Sequence, residues 1–325
     1  MIENLTQAQT AEPYMSVIIP MYNAENHIEA CLENLRRQTL ANIEIICIDD
    51  GSTDHTFDKV CELTQNDPRI RCYKQKNAGA GVARNLGIFH ARGQYIAFLD
   101  SDDEFAEEDT LQSLYENALK NDFSIVGGHM LVLLEGKELI RSFDGEFEGY
   151  SFQKTGNIDY KDYQFDFGFT RFIYNKKLFK NKEIRFPELR YYEDPVFMVK
   201  TFLHAERFLY LNKPTYFYKF THTHVDWKSK ERQVIDLFRG IEENLRISKL
   251  HRLSKLHWYT IKHFNMSYNL AVRLGGCYTW RVEASVYRAC RHMDLNLASQ
   301  WKSIDSPFRF CLRRFLIQLK QLLRS

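Results

Sequence analysis

Three carboxylates, at Asp100, Asp102 and Asp103, come directly after the apolar run Ile96-Ala97-Phe98-Leu99. At the end of a β-strand, residues i and i+2 project to the same side. Asp100 and Asp102 can therefore face one hard cation whose remaining oxygen ligands come from an anion such as a phosphate, a setting that suits Mg2+ or Mn2+ better than Zn2+. Taken alone, an Asp-x-Asp after a strand is equally a solvated turn or the cap of the next helix. A second acidic pair, Glu193 and Asp194, precedes Pro195-Val196-Phe197. A carboxylate in a partly desolvated pocket can take a proton from an attacking hydroxyl. Asp followed by Pro is also the chemistry of a helix start, with Asp at the cap and Pro at the first helical position.

The elements that must position these groups read as alternating strands and helices. Ser16-Val17-Ile18-Ile19 is a buried strand ended by Pro20, and Asn23 is placed to cap a helix carrying Ile28, Cys31, Leu32 and Leu35 on one face. A second strand, Ile43 to Ile48, runs into Asp49-Asp50-Gly51-Ser52-Thr53-Asp54, so it too ends in carboxylates. A third short strand, Ile70 to Tyr73, leads to a glycine-containing turn and the segment Asn77 to Gly87, a helix with Arg84 in its early turns. Such a helix start can bind an anion.

In this order the segments resemble family 2 glycosyltransferases of the GT-A fold. That family carries an opening strand ending in Pro-x-Tyr-Asn, an Asp-Asp-Gly-Ser-Thr-Asp turn, a Gly-x-x-x-Ala-Arg-Asn-x-Gly helix and a Leu-Asp-x-Asp-Asp metal motif, and all four stand here in order. The match is strong over residues 15 to 125 and looser over 165 to 225. The resemblance implies a Rossmann-like mixed sheet flanked by helices, followed by a C-terminal helical extension. It implies that Pro20 and Tyr22 line the pocket of the nucleotide base, that Asp50 accepts a hydrogen bond from it, and that Arg84, Asp100 and Ser101 contact the nucleotide-sugar. Asp102, with Asp100, would hold Mn2+ or Mg2+ against the diphosphate, with Asp103 in support. The bland readings are that Tyr22 is an ordinary half-buried aromatic, Asp50 and Asp54 turn residues, and Arg84 a surface charge. Asp194 matches the family's base, with Glu193 as the alternative. After the strand Thr215 to Phe220 the chain has Thr221-His222-Thr223-His224 where many members carry a Tyr-Arg strand and a Ser-rich segment, so His224 is a metal candidate only against the reading of a surface His pair.

Other chemistries are poorly served. Gly79-Ala80-Gly81 fails as a dinucleotide fingerprint because Arg84 takes the third glycine position. Walker, His-Glu-x-x-His and Gly-x-Ser-x-Gly patterns are absent. The seven cysteines include no Cys-x-x-Cys and read as reduced thiols in a cytoplasmic protein. With 325 residues, 44% hydrophobic and 14% aromatic, the chain can bury a large core. Residues 1–14 read as a flexible tail, 15–225 as the transferase domain with a nucleotide-sugar half to 125 and an acceptor half beyond it, and 226–325 as a basic helical region. Residues 129 to 165 have the look of hairpin or loop material.

From His251 to Ser325 there are 13 Lys and Arg against three Asp and Glu, so the preceding part is net acidic. The segment Phe308 to Arg324 mixes bulky apolar and basic residues as an interfacial helix does. It reads either as a helix on an anionic membrane, placing the protein at the inner face of the cytoplasmic membrane, or as one docked on the body. No apolar run reaches the ~18 residues of a membrane span, and no nucleic-acid-binding module is present. The expected activity is an inverting, metal-dependent transfer of one sugar from a nucleotide donor, a UDP-sugar, to a glycan or lipid-linked glycan in polysaccharide or lipooligosaccharide assembly. The competing class is a non-catalytic nucleotide-sugar or glycan-binding protein of the same fold.

Overall fold

The computed structural model describes residues 12–134, 140–142, 150–220, 230–277 and 279–302. His222, His224, the boundary expected near residue 225 and the basic segment Phe308 to Arg324 lie outside the described residues. The chain divides into two compact units: Met1–Tyr163, Phe167–Glu188 and Lys200–Thr223 make the first, and Gln164–Asp166, Leu189–Val199 and His224–Ser325 the second.

The first unit opens with strands and helices in alternation: β1 (Met15–Met21), α1 (Ile28–Arg36), β2 (Ile43–Asp49), α2 (Thr56–Thr64), β3 (Ile70–Lys74), α3 (Ala80–His90) and β4 (Tyr95–Phe98). Every residue of β1 and β2 is buried, as continuous apolar runs require in parallel strands covered on both faces. There follow β5 (Glu104–Phe105), α4 (Thr110–Asn121), β6 (Ile125–Leu134), β7 (Ile140–Ser142), β8 (Gly156–Asp159), α5 (Tyr160–Tyr163), β9 (Phe172–Asn175), α6 (Glu193–Ala205), which begins in the second unit, and β10 (Arg207–Phe220). The strands form one sheet in the order β3-β2-β1-β4-β9-β6-β10-β5, with β7 on β6 and β8 on β10. Strands β3, β2, β1 and β4 are parallel, β9 runs antiparallel to both β4 and β6, and β10 is parallel to β6 and antiparallel to β5. This is the expected mixed sheet with flanking helices, and β6 with β7 supplies a hairpin in the segment read as hairpin or loop.

Pro20 lies inside β1 rather than ending it. Pairing with β4 covers Met15 to Ile18, whereas pairing with β2 continues to Met21. The Ile18 carbonyl faces Leu99 and the Met21 carbonyl faces Asp50. The nitrogen of Pro20 thus points to the β4 side, beyond the last β4 pair, where a missing N–H breaks no ladder bond. On the sheet's face, α3 approaches β1 closely because residue 87 is glycine: a Cβ there would stand 2.3 Å from Cγ2 of Ile18.

The second unit is helical, as expected for the C-terminal region: α7 (Glu231–Leu250), α8 (Ser254–Ser267), α9 (Trp280–Arg291) and α10 (Leu295–Ser299). Val234, Leu237, Phe238, Ile241 and Leu245 form the apolar stripe of α7 and pack with Ile261 and Phe264 of α8, Val282, Val286 and Ala289 of α9, and Tyr192 and Val196. No described helix is long and apolar enough to cross a membrane. His257 is buried among these helices. Its Nε2 accepts the Asp294 N–H at 2.8 Å, so Nδ1 carries the proton and donates to the Ser248 hydroxyl at 2.7 Å.

Burial pushes the His257 imidazole down to about 4, against the attraction of Asp294. The unfolded chain therefore binds the proton first, and the stabilisation present above the ordinary histidine range is lost as pH falls through about 4. Buried Asp166 has the opposite sign: burial raises it to about 6, although Tyr192 and Asn244 donate to it, so it favours folding toward acid. Comparing wild type with His257→Gln cancels the Asp166 contribution. In urea denaturation, the stability gap between the two is expected to narrow by roughly 2 kcal/mol between about pH 7 and about pH 5; a gap independent of pH would remove His257 as its source.

Candidate active site

The carboxyl ends of β1, β2 and β4 present Tyr22, Asp50 and Asp100 along one edge of the sheet. Tyr22 is 52% exposed. Asn23 does not cap α1, whose first turn receives no side-chain cap. At a positive φ of 51° it instead accepts the Thr53 N–H at 2.9 Å, and its own N–H donates to the Ser52 hydroxyl at 3.0 Å. Asp54 braces the same loop, accepting from the Thr56 N–H and hydroxyl at 3.0 and 2.6 Å and from the Glu25 N–H at 3.2 Å.

Asp50 is buried, with Oδ1 accepting from the Gln75 amide at 2.7 Å and the Ala78 N–H at 2.8 Å, while Oδ2 accepts the Gly79 N–H at 2.8 Å. One lone pair of Oδ2 remains for a further donor. Gly79, at φ 102°, is the residue before α3, and a non-glycine residue would be strained there. Asp50 thereby fastens the end of β2 to the start of α3.

From α3, Arg84 reaches Asp100, with Nη2 to Oδ1 at 2.7 Å. The guanidinium is buried, with the rings of Phe169 and Phe186 at 4.9 and 5.3 Å, a stacked arrangement for which arginine's flat cation is suited. Asp100 is 31% exposed at its side chain. Its N–H donates to the Tyr216 hydroxyl at 3.2 Å, and that hydroxyl donates to Asp103 Oδ2 at 2.7 Å. The Lys219 N–H donates to Asp103 Oδ1 at 2.8 Å. Burial, then the charge of Asp100, pushes the Asp103 carboxyl well above the usual carboxylate range. Ser101 is half-buried and Asp102 exposed. Although open to solvent on one side, the Asp102 carboxyl is also raised, by crowding protein on the other side and by the charge of Asp100; His27 and Lys219 act in the opposite sense.

Among the described residues no three His, Cys, Asp or Glu side chains are grouped to cage a metal. Mg2+ or Mn2+ held by one or two carboxylates and completed by phosphate oxygens needs no such cage. Asp102 fits that donor set: it is exposed, and a cation would offset the repulsion from Asp100 that disfavours its ionised form.

In the second unit, Glu193 and Asp194 are the first two residues of α6 and both are half-buried. Asp194 thus lies within the first turn rather than at the cap. The approach to the helix is fixed by Tyr192, at φ 69°, whose hydroxyl donates to Asp166 at 3.1 Å, and by the Arg190 N–H, which donates to Asp236 at 3.1 Å.

Sequence reasoning passed over Tyr216, Lys219 and Gln75 as supports of the carboxylate loops. The strand containing Tyr216 and Lys219 was expected, but nothing local placed it beside β5, where Tyr216 pairs with Phe105.

The sequence profile described as Glycosyl transferase family 2 matches residues 16–181, just over half of the chain. The uncharacterized glycosyltransferase EpsJ of Bacillus subtilis (strain 168) is 34% identical over 219 residues, 64% of this chain and 61% of that protein. The glycosyltransferase GlyG of Streptococcus pneumoniae serotype 4 is 31% identical over 221 residues, 63% of this chain and 70% of that protein. The chain thus spans less than two thirds of the length of the first of these relatives. Among solved structures, S. aureus TarS 1-349 in complex with UDP-GlcNAc aligns with a TM-score of 0.65 at 21% identity, covering 87% of this chain and 82% of that one. The mannosyltransferase PcManGT from Pyrobaculum calidifontis, in complex with GDP-Man and Mn2+, aligns with a TM-score of 0.51 at 16% identity, covering 97% and 89%. At these identities the likeness is one of fold.

The geometry separates anchoring acids from an open one. Asp50→Ala removes the acceptor of two backbone N–H groups and an amide and is expected to cost about 2 to 4 kcal/mol of folding stability. Asp102→Ala is expected to change stability by less than about 0.5 kcal/mol, or to raise it slightly by relieving repulsion. Chemical denaturation of both variants without nucleotide checks this; equal losses would contradict the division.

Proposed function

Because the chain belongs to glycosyl transferase family 2 and has its GT-A fold, we propose that it transfers one sugar, with inversion, from a nucleotide donor to a glycan or lipid-linked glycan acceptor in polysaccharide or lipooligosaccharide assembly. A UDP-sugar is the proposed donor, a choice supported by the UDP-GlcNAc bound to the similarly folded S. aureus protein. The observation that carries the reading is the loop after β4, where Asp102 stands open beside an Asp100 already fixed by Arg84.

In this reading the acceptor hydroxyl oxygen attacks the anomeric carbon from the face opposite the diphosphate. A new glycosidic C–O bond forms, the C–O bond to the β-phosphate breaks, and the electron pair stays on the phosphate oxygen. The hydroxyl proton goes to Asp194, with Glu193 as the alternative acceptor. Pro20 and Tyr22 line the base pocket, the free lone pair of Oδ2 on Asp50 accepts from the base, and Ser101 contacts the donor. Arg84 is a positioning residue: it holds Asp100 in register and keeps its charge from adding to that of the diphosphate. Mn2+ or Mg2+, held by Asp102 with Asp100 in support, would neutralise charge building on the leaving phosphate oxygen.

The test is nucleotide release from UDP-, GDP-, CMP- and dTDP-sugars with Mn2+ or Mg2+. Release from one donor is expected to fall at least ~100-fold in Asp102→Ala. Asp194→Asn is expected to lower transfer to a glycan acceptor by a similar factor while leaving donor binding unchanged, with Glu193→Gln milder. Donor binding with no release from any donor, acceptors included, would instead favour a non-catalytic binding protein.

A further inference from the structure

The starts of β1 and β4 open into a cavity of about 630 Å³ at the edge of the sheet away from the Asp102 loop. Since β1 runs seven residues between the two edges, the cavity lies about 20 Å from the carboxyl ends of the strands, so its occupant is not the donor. Its size is that of a small-ligand site.

The lining is cationic: Arg92, Lys176, Lys177, Lys180 and Arg185 surround it, and Glu12 is the one acid among the described lining residues. Arg92 is already paired with Glu44 at 2.9 Å. Among the described residues, the other four have no carboxylate within ion-pairing distance. Lys176, Lys177 and Lys180 are exposed. Arg185 is half-buried, and among the described residues its guanidinium donates to the Ile184 and Phe179 carbonyls, at 2.6 and 2.9 Å. Partly desolvated arginine without a counter-charge is costly and is relieved by an anion that binds in its fork.

Of the aromatic rings that line the same cavity, two are exposed. Phe89 is 80% exposed, and Tyr14, 45% exposed, is stacked on Tyr115 with ring centroids 5.0 Å apart. Exposed rings gain from being covered by a flat apolar face. A sugar ring offers such a face through its C–H groups, and an acidic sugar adds the anion that the lysines and Arg185 lack.

We propose that this cavity is a second saccharide-binding site that takes an acidic glycan, its carboxylate or phosphate groups on Lys177, Lys180 and Arg185 and a ring against Phe89. The choice of a glycan rests on the transferase reading; the charge and the exposed rings do not. The experiment is calorimetric titration of the full chain with an oligosaccharide of alternating hexuronic acid and hexosamine, its neutral counterpart, and inorganic pyrophosphate.

The acidic oligosaccharide is expected to bind wild type and Asp102→Ala equally, and at least about tenfold more weakly when Lys177→Glu and Lys180→Glu are combined. Phe89→Ala, a change on the surface, is expected to weaken it several-fold. The neutral sugar is expected to bind more weakly than the acidic one. No binding, binding indifferent to these variants, or pyrophosphate as tight as the oligosaccharide would overturn the proposal. So would anionic phospholipid vesicles pelleting wild type but not the lysine variant in the absence of saccharide binding. Saccharide binding that persists while no donor is ever turned over would retain the site and sink the transferase reading alone.

Discussion

Negative charge is crowded onto the loop after β4, where Asp100, Asp102 and Asp103 lie within four residues. Like charges this close in a partly desolvated setting disfavour one another's ionised forms, and each is handled differently. Asp100 is matched by the Arg84 guanidinium. Asp103 is buried under a tyrosine hydroxyl and a backbone N–H, with its carboxyl pushed toward the neutral form. Asp102 alone stays at the surface, still feeling Asp100.

Much of the first unit can be traced back from that requirement. Arg84 must arrive with its charge desolvated and stacked, so α3 must be held at a fixed height over β1. Asp50 does this at one end by binding the N–H groups of Ala78 and Gly79, and Gly87 does it in the middle by letting the helix touch Ile18. Tyr216 and Lys219 must reach Asp103 from the other direction, which the pairing of β10 with β5 secures. Asp102 is held by none of these contacts directly, yet its position follows from all of them. Charge-assisted bonds of this kind contribute about 1.5 to 3 kcal/mol each, enough to hold a short loop rigid against its own repulsion.

The strands that end in carboxylates were legible in the sequence because their cues are local: unbroken apolar runs, then acids and glycines at turns. The family resemblance added the order of the motifs and, with it, the sheet. What stayed hidden was partnership over distance. Tyr216 meets Asp103 across 113 positions, and Asn85 holds the Phe186 backbone across 101; no period or propensity records such pairs. Arg84 read as a surface charge or a ligand contact because its spacing on α3 does not reveal that Phe169 and Phe186 close over it. Pro20 read as a strand end because proline lacks an N–H, and only the register shows that this nitrogen faces past the last β4 pair. Asn23 has good capping chemistry, but the 52–53 turn competes for the same side chain and wins.

The treatment of the three carboxylates also bears on what the loop is for. A fold under selection for stability alone would remove an acid that suffers repulsion and, among the described residues, gains no ion pair; an apolar or neutral side chain at position 102 would serve better. Local rules broken without compensation inside the protein tend to mark places where compensation comes from outside it. Asp103 is compensated within the protein by Tyr216 and Lys219, and Asp100 by Arg84. For Asp102 the missing term is positive charge, and the open side of the carboxyl faces solvent. In the proposed reading, a hard divalent cation carrying a diphosphate would supply that term without asking the protein for further ligands, so two carboxylates would suffice where an all-protein metal cage would need more.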